Sequence, residues 1–234
     1  MKKRVKTDSA LLSFVIIMTG ILFTFRNLYS RGAFLDDSFD FIGFIVLLSG
    51  VLLRMSARGH KKAHSKKSEK LVMSGPYTLV RNPMYLGSFL MGAGFILMVW
   101  PWWGLPFFAL LFYARFQRQV VKEEKYLGKL AGKEYEQYCN KVNRIFPSLD
   151  QLKRIKIRTV VNMREAWSTK EKRGLWSWPL LAVLLESFQE KLIFEETFFS
   201  QTVLIFCAAG VVFAFVFWLA YRKDQNDAPV SPQP

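Results

Sequence analysis

The stretch Ser74-Gly75-Pro76-Tyr77-Thr78-Leu79-Val80-Arg81-Asn82-Pro83-Met84-Tyr85-Leu86-Gly87 concentrates the side chains of this chain best suited to chemistry. Asn followed by Pro is a helix-start signal: Asn accepts hydrogen bonds from the free N–H groups of a helix N-terminus, and Pro is tolerated at the first helical position. A helix is therefore expected from Pro83. Its positive dipole end and unpaired N–H groups would lie beside Arg81, an arrangement that stabilises a carboxylate or phosphate. Gly87, Ser88, Gly92 and Gly94 thin one side of the same helix, so a neighbouring helix can approach closely. A capped, tightly packed helix with no ligand accounts for the same features.

A second cluster runs Arg115, Arg118, Lys122, Glu123, Glu124, then Leu127, Gly128, Gly132, Lys133, Tyr135, Tyr138 and Pro147. The paired carboxylates Glu123 and Glu124 can hold hydroxyl groups or a cation; a solvated helix face with charge pairs one turn apart is the plainer reading. His60 and His64 are four residues apart and could share a helical face as metal ligands. They stand among lysines with no third ligand nearby in sequence, so a solvated loop and no metal are expected. Cys139 and Cys207 give neither a disulfide framework nor metal spacing.

The elements that must position these clusters are apolar. Hydrophobic residues make up 51% of the 234 residues, with 22 Phe and 7 Trp, yet the formal net charge is +15. Apolar bulk and positive charge must therefore sit in different places. Four uncharged stretches set the class, since a lipid-spanning helix needs about 20 mostly apolar residues. They are Ser9 to Phe25, Phe41 to Leu53, Met84 to Ala114 and Thr197 to Tyr221. The third would be ~46 Å long as one helix, against a hydrocarbon thickness of ~30 Å, so it is expected to fold back as a hairpin. Pro101-Trp102-Trp103-Gly104-Leu105-Pro106 supplies the turn, and its tryptophans suit the headgroup boundary. The apolar run after Met1-Lys2-Lys3-Arg4 is too long for a signal peptide and lacks an Ala-x-Ala exit, so it reads as an uncleaved anchor.

Lys and Arg crowd the 54–83 loop and the 115–173 segment, while Arg26 and Arg31 are opposed by Asp36, Asp37 and Asp40. The N-terminus and both basic segments are therefore expected on the cytoplasmic side. The basic loop would also attract anionic membrane lipids, at about 1 kcal/mol per residue. No base-stacking aromatics interleave with its lysines, which argues against nucleic acid. Residues 176–194 either cross the bilayer or lie in its interface; Leu181, Leu185, Phe188 and Leu192 at helical spacing favour the interface.

Taken together, Gly75-Pro76-Tyr77, Arg81-Asn82-Pro83-Met84-Tyr85-Leu86-Gly87, and Glu123-Glu124 with Leu127, Tyr135, Tyr138 and Pro147 resemble the isoprenylcysteine carboxyl methyltransferase family and the related phospholipid methyltransferases. The resemblance covers about residues 50 to 148. It implies a helical membrane fold binding S-adenosylmethionine at the cytoplasmic side without a Rossmann-type domain, in keeping with the lack of a Gly-x-Gly-x-x-Gly motif after a strand. By family pattern Tyr77, Arg81, Asn82, Pro83, Tyr85 and Gly87 would form one wall of the cofactor site and Glu123 and Glu124 the other, with Arg81 and Glu124 the candidates for a catalytic part. Many members carry His where this chain has Asn82, which can hydrogen-bond but cannot act as a base.

The expectation is an all-α polytopic bundle of about five spans, with a hairpin over 84–120. It comprises two N-terminal helices (1–56), a methyltransferase-like core (57–148), a basic and amphipathic interfacial segment (149–196), a C-terminal span (197–222) and a disordered tail (223–234). The implied activity is methyl transfer to a hydrophobic, lipid-like or lipid-attached acceptor. A non-catalytic module of the same fold, binding anionic lipid or a protein, is the alternative. A transporter fits less well, because no charge lies mid-span in the four clear stretches.

Overall fold

The computed structural model describes residues 17–25, 28, 33–65, 71–154, 156–193 and 199–226. The basic N-terminus, the first half of the first apolar run, Lys66 to Lys70 and the tail from Asp227 lie outside them. The described residues are helical, with no strand among them. The principal elements are α1 (17–24), α2 (Ala33–His64), a 3-10 turn (Gly75–Thr78), α3 (Pro83–Val99), α4 (Gly104–Ala131) and α5 (Lys133–Lys141). Short helices α6 (Leu149–Arg154), α7 (Ile157–Val160) and α8 (Met163–Trp167) follow, then a second 3-10 turn (Lys170–Arg173), α9 (Gly174–Ile193) and α10 (Phe199–Asn226).

Among the described residues two helices are long and apolar enough to cross a membrane, one within α2 (Leu35–His64) and one within α10 (Phe199–Asp224). The expected hairpin is present. α3 is an apolar helix of 17 residues that stops before Pro101, the turn exposes Trp102 and Trp103, and α4 runs back for 28 residues, charged from Arg115 onward. The hairpin sits against α2 because glycines remove side chains where the two backbones meet. A Cβ on Gly50 would lie 2.6 Å from the Gly87 carbonyl oxygen, and one on Gly94 would lie 2.6 Å from that of Gly43. On each helix the two glycines are seven residues apart, two turns, so both contacts fall on one face. Leu47, Met55 and Met98 are fully buried along this seam.

α10 presents little to the protein: Phe206 stacks on Phe44 with ring centroids 4.6 Å apart and Ala209 is buried, while Leu204, Val211 and Phe215 are more than half exposed. Apolar side chains turned outward along a whole helix are stable against lipid. The inward face of α9 mixes apolar Ala182, Val183 and Leu185 with the buried polar Glu186 and Gln189, while Leu181, Phe188 and Leu192 point outward.

Two expected boundaries change: α10 runs to Asn226, so residues 223–226, expected within a disordered tail, are helical, and α2 runs past Leu53. The basic region after Leu53 begins as helix, because α2 continues without a break to His64, its acidic Asp36 near the start and Lys61, Lys62 and His64 in the last turn complementing the helix dipole. The histidines are consequently not in a solvated loop, and His60 is buried.

Candidate functional site

Where α2 runs past the start of α3, the seam opens into a cavity of about 600 Å³. Its first wall is the C-terminal end of α2, with Arg54, Arg58 and Lys61 at positions i, i+4 and i+7 on one face. The second wall is the Gly75–Thr78 turn and the first turns of α3, supplying Tyr77, Arg81, Asn82, Pro83, Met84, Tyr85 and Ser88. The third is α4 and α5, supplying Phe116, Lys122, Glu123, Tyr126, Tyr135 and Tyr138.

The α3 start is held by the chain beyond α5. The N–H of Arg81 donates to the Asn143 carbonyl (2.8 Å), that of Asn82 to the Arg144 carbonyl (3.1 Å), and Asn82 Nδ2 donates to the same Arg144 oxygen (3.1 Å). Asn82 therefore occupies the cap position without capping through its side chain. Its amide is drawn sideways to fasten residues 143–144, and its backbone carbonyl accepts from the N–H groups of Tyr85 and Leu86. Gly75 has φ of +61°, a conformation that costs a glycine little, and a Cβ there would fall 2.7 Å from His60 Nε2.

The predicted residues separate into three groups. Tyr77, Arg81, Asn82, Pro83, Tyr85 and Glu123 line the cavity. Tyr85 Oη and Gln119 Nε2 both donate to Glu123 Oε1 at 2.8 Å, which fixes that carboxylate at the rim. Glu124 stands behind the wall, 3.5 Å from Arg81 Nη1 and 2.8 Å from Arg144 Nη2, so it aims Arg81. Gly87 faces α2, where it makes room for the Arg54 stem. Arg81 also touches Cys139 through Nη1, but its Nε is buried without a hydrogen-bond partner among the described residues; so is the Nε of Arg54, whose Nη1 donates to Ser88 Oγ. Buried donors of this kind are costly unless an acceptor meets them.

Three phenols are shifted the same way. Burial, reinforced by the Glu123 charge, pushes the Tyr77 phenol well above its usual range. Burial does the same to Tyr138, with Tyr77 and Tyr135 adding to it, and to Tyr135, beside Glu124. They remain protonated donors, and Tyr138 Oη donates to the Tyr77 carbonyl at 2.6 Å.

Sequence reading missed the α2 wall and its partner. Glu171, from the expected interfacial segment, lies 3.0 Å from Arg58 Nη1 and 3.5 Å from Arg54 Nη2. The 54/58/61 spacing was a visible signal that the helix continued; the pairing across 113 residues was not visible.

Comparison with known proteins bears on the same region. The phospholipid methyltransferase family model matches residues 39–134, from within α2 to the start of α5. Over those residues the chain resembles the membrane methyltransferases. This methyltransferase-like segment contains Arg54, Tyr77, Arg81, Tyr85 and Glu123, but not Tyr138 or Glu171. A probable protein-S-isoprenylcysteine O-methyltransferase of Oryza sativa subsp. indica is 26% identical over 119 residues, 47% of this chain and 62% of that protein. The protein-S-isoprenylcysteine O-methyltransferase of Schizosaccharomyces pombe is 33% identical over 109 residues, 43% of this chain and 45% of that protein. A steroid 5-alpha-reductase of Solanum lycopersicum is 29% identical over 147 residues, 57% of this chain and 56% of that protein. The chain thus spans about half the length of the curated relatives it matches. No solved structure matches it.

Proposed function

We propose that this chain is an integral membrane methyltransferase that uses S-adenosylmethionine and acts on a lipid-like or lipid-attached acceptor reaching the cavity from within the bilayer. The observation that carries the reading is the convergence of Tyr77, Arg81, Asn82, Pro83, Tyr85 and Glu123, from two separated stretches of sequence, on one cavity. The methyltransferase names of the matched relatives support it. Basic residues around the cavity support a cytoplasmic site and N-terminus, in the inner membrane if the cell is bacterial.

The residues fit the cofactor. A volume of about 600 Å³ is within the ~300–1,000 Å³ of small-molecule sites. The buried Nε donors of Arg81 and Arg54 suit a carboxylate, and Glu123, presented at the rim by Tyr85 and Gln119, suits hydroxyls or a positive centre. Bound there, S-adenosylmethionine supplies an activated methyl group on a sulfonium. The chain's own work is alignment and exclusion of water. Arg81, oriented by Glu124, would hold an anionic end in place, while Tyr85 and Phe116, with ring centroids 5.3 Å apart, shield the cavity from lipid. Tyr77, Tyr135 and Tyr138 cannot serve as bases near neutral pH, since each would have to lose a proton that burial holds on. A carboxylate or thiolate acceptor needs no base, and this set of residues suits such an acceptor best.

The test incubates membranes containing the chain with methyl-labelled S-adenosylmethionine and follows label into the lipid extract and into protein. Label that appears with the intact chain and is absent with Glu123→Gln is expected. Absence of both labelling and cofactor binding in the folded chain would favour the non-catalytic module.

A further inference from the structure

The chain's two histidines are held together at the C-terminal end of α2, on the same turns as the cavity-lining Arg58 and Lys61 but not themselves among the lining residues. His60 Nδ1 lies 2.8 Å from Glu165 Oε2, and His64 Nδ1 lies 3.8 Å from Glu165 Oε1 while hydrogen-bonded to the His60 carbonyl oxygen at 3.0 Å, a bond that an ion taken up at Nδ1 would displace. One ligand atom from each of these three side chains lies within 4.8 Å of the others. What the sequence lacked, a third ligand for a pair of histidines one turn apart, arrives from α8, 101 residues beyond His64. We propose that His60, His64 and Glu165 form a binding site for a divalent transition-metal cation, zinc being the best match.

The surroundings are built for it. Metal-ligating imidazoles are characteristically fixed through their second nitrogen. His60 Nε2 is 2.9 Å from Ser74 Oγ, a hydroxyl that can accept the Nε2 proton, and in that tautomer the lone pair of Nδ1 faces the carboxylate; in the other, Nδ1–H donates to Glu165. In the first tautomer the lone pair and the carboxylate oxygen, 2.8 Å apart, are arranged to share a cation. Tetrahedral zinc with bonds of ~2.0–2.1 Å sets its ligands ~3.3–3.5 Å apart, and the two N···O separations of 2.8 and 3.8 Å bracket that spacing. Two imidazoles and a carboxylate with one open position is a zinc donor set; magnesium and calcium favour all-oxygen sites.

The backbone closes in around the cluster. A Cβ on Gly59 would lie 2.3 Å from the Glu165 carbonyl oxygen, and Gly75 packs against the His60 ring. His60 is buried, whereas the His64 side chain is about half exposed, which leaves a route for the ion. The neighbouring lysines turn away, Lys61 to the cavity and Lys62 to the Ser168 carbonyl at 3.0 Å. A metal here would clamp α2, the Ser74–Gly75 turn and α8 together, and so hold the segment that carries Glu171 against Arg54 and Arg58. The proposal does not depend on methyl transfer.

The test uses the full chain, purified in detergent without a histidine tag and stripped with a chelator. Calorimetry with zinc is expected to give one site per chain, with affinity at least tenfold weaker in His64→Ala and in Glu165→Gln, and magnesium is expected not to bind. Cobalt should show tetrahedral visible absorption that zinc abolishes. Circular dichroism confirms that the variants are folded, and His64, being half exposed, tolerates substitution better than His60. No zinc uptake by the folded chain, or uptake with the same affinity in both variants, overturns the proposal and leaves a proton bridging His60 and Glu165.

Discussion

Replacing Arg81 by Ala separates a cofactor site from a merely well-packed helix start. The Arg81 side chain is 14% exposed, pairs with Glu124 at 3.5 Å and keeps a buried Nε donor without an acceptor among the described residues. If that donor meets the carboxylate of S-adenosylmethionine, the variant loses a charge-assisted hydrogen bond, worth about 1.5–3 kcal/mol. At ~1.4 kcal/mol per tenfold, the dissociation constant should rise by about 10- to 150-fold. Removing the side chain also takes one partner from Glu124, which keeps Arg144 at 2.8 Å, so the helical bundle should survive. Calorimetric titration of purified wild type and variant, with circular dichroism as the check on folding, measures the difference. Arg81→Lys is the companion variant: it keeps the charge but not the forked donors and should fall between the two. An affinity unchanged within about threefold in folded Arg81→Ala would refute the placement of the cofactor at this arginine.

Other perturbations address the surrounding architecture. Glu124→Gln should weaken cofactor binding several-fold and lower the melting temperature modestly, since it loosens Arg81 and leaves the half-exposed Arg144 unpaired; binding calorimetry and thermal melts check each part. Gly50→Leu should destabilise the protein by about 1–3 kcal/mol, because even a Cβ would meet the Gly87 carbonyl at 2.6 Å, and a thermal melt in detergent would detect it. The buried Tyr77 and Tyr138 phenols titrate above their unfolded value of about 10, so the stability they contribute is complete below that pH and is lost as pH rises through the higher folded values. Melting temperature should therefore fall progressively above about pH 10, and less steeply in Tyr77→Phe.

Much of this arrangement was legible because it is local. The Asn82-Pro83 start of α3, the Pro101–Pro106 turn and the small residues of α3 are each written in adjacent residues, and the structure contains all three features. The role of the Asn82 side chain was not legible: capping and fastening Arg144 use the same amide, and only tertiary position chooses between them. The end of α2 was misjudged because lipid-length reasoning stops a helix where apolar residues stop, while backbone hydrogen bonding continues into a charged turn. His60 with Glu165, and Arg58 with Glu171, join residues more than a hundred positions apart, and neither partner carries a local mark of the other.

The paired glycine contacts at Gly43/Gly94 and Gly50/Gly87 also make the elements around the cavity unequal in rigidity. Backbone against backbone leaves no rotamer to adjust, so the α2–α3 side is a fixed jaw whose shape tolerates almost no drift. The opposing jaw, α4 with α5, meets that side through side chains such as Phe108 and Phe112 on Phe89, which can be exchanged for larger or smaller ones. On the proposed function, a change of acceptor would come by recutting one jaw while the other keeps its grip.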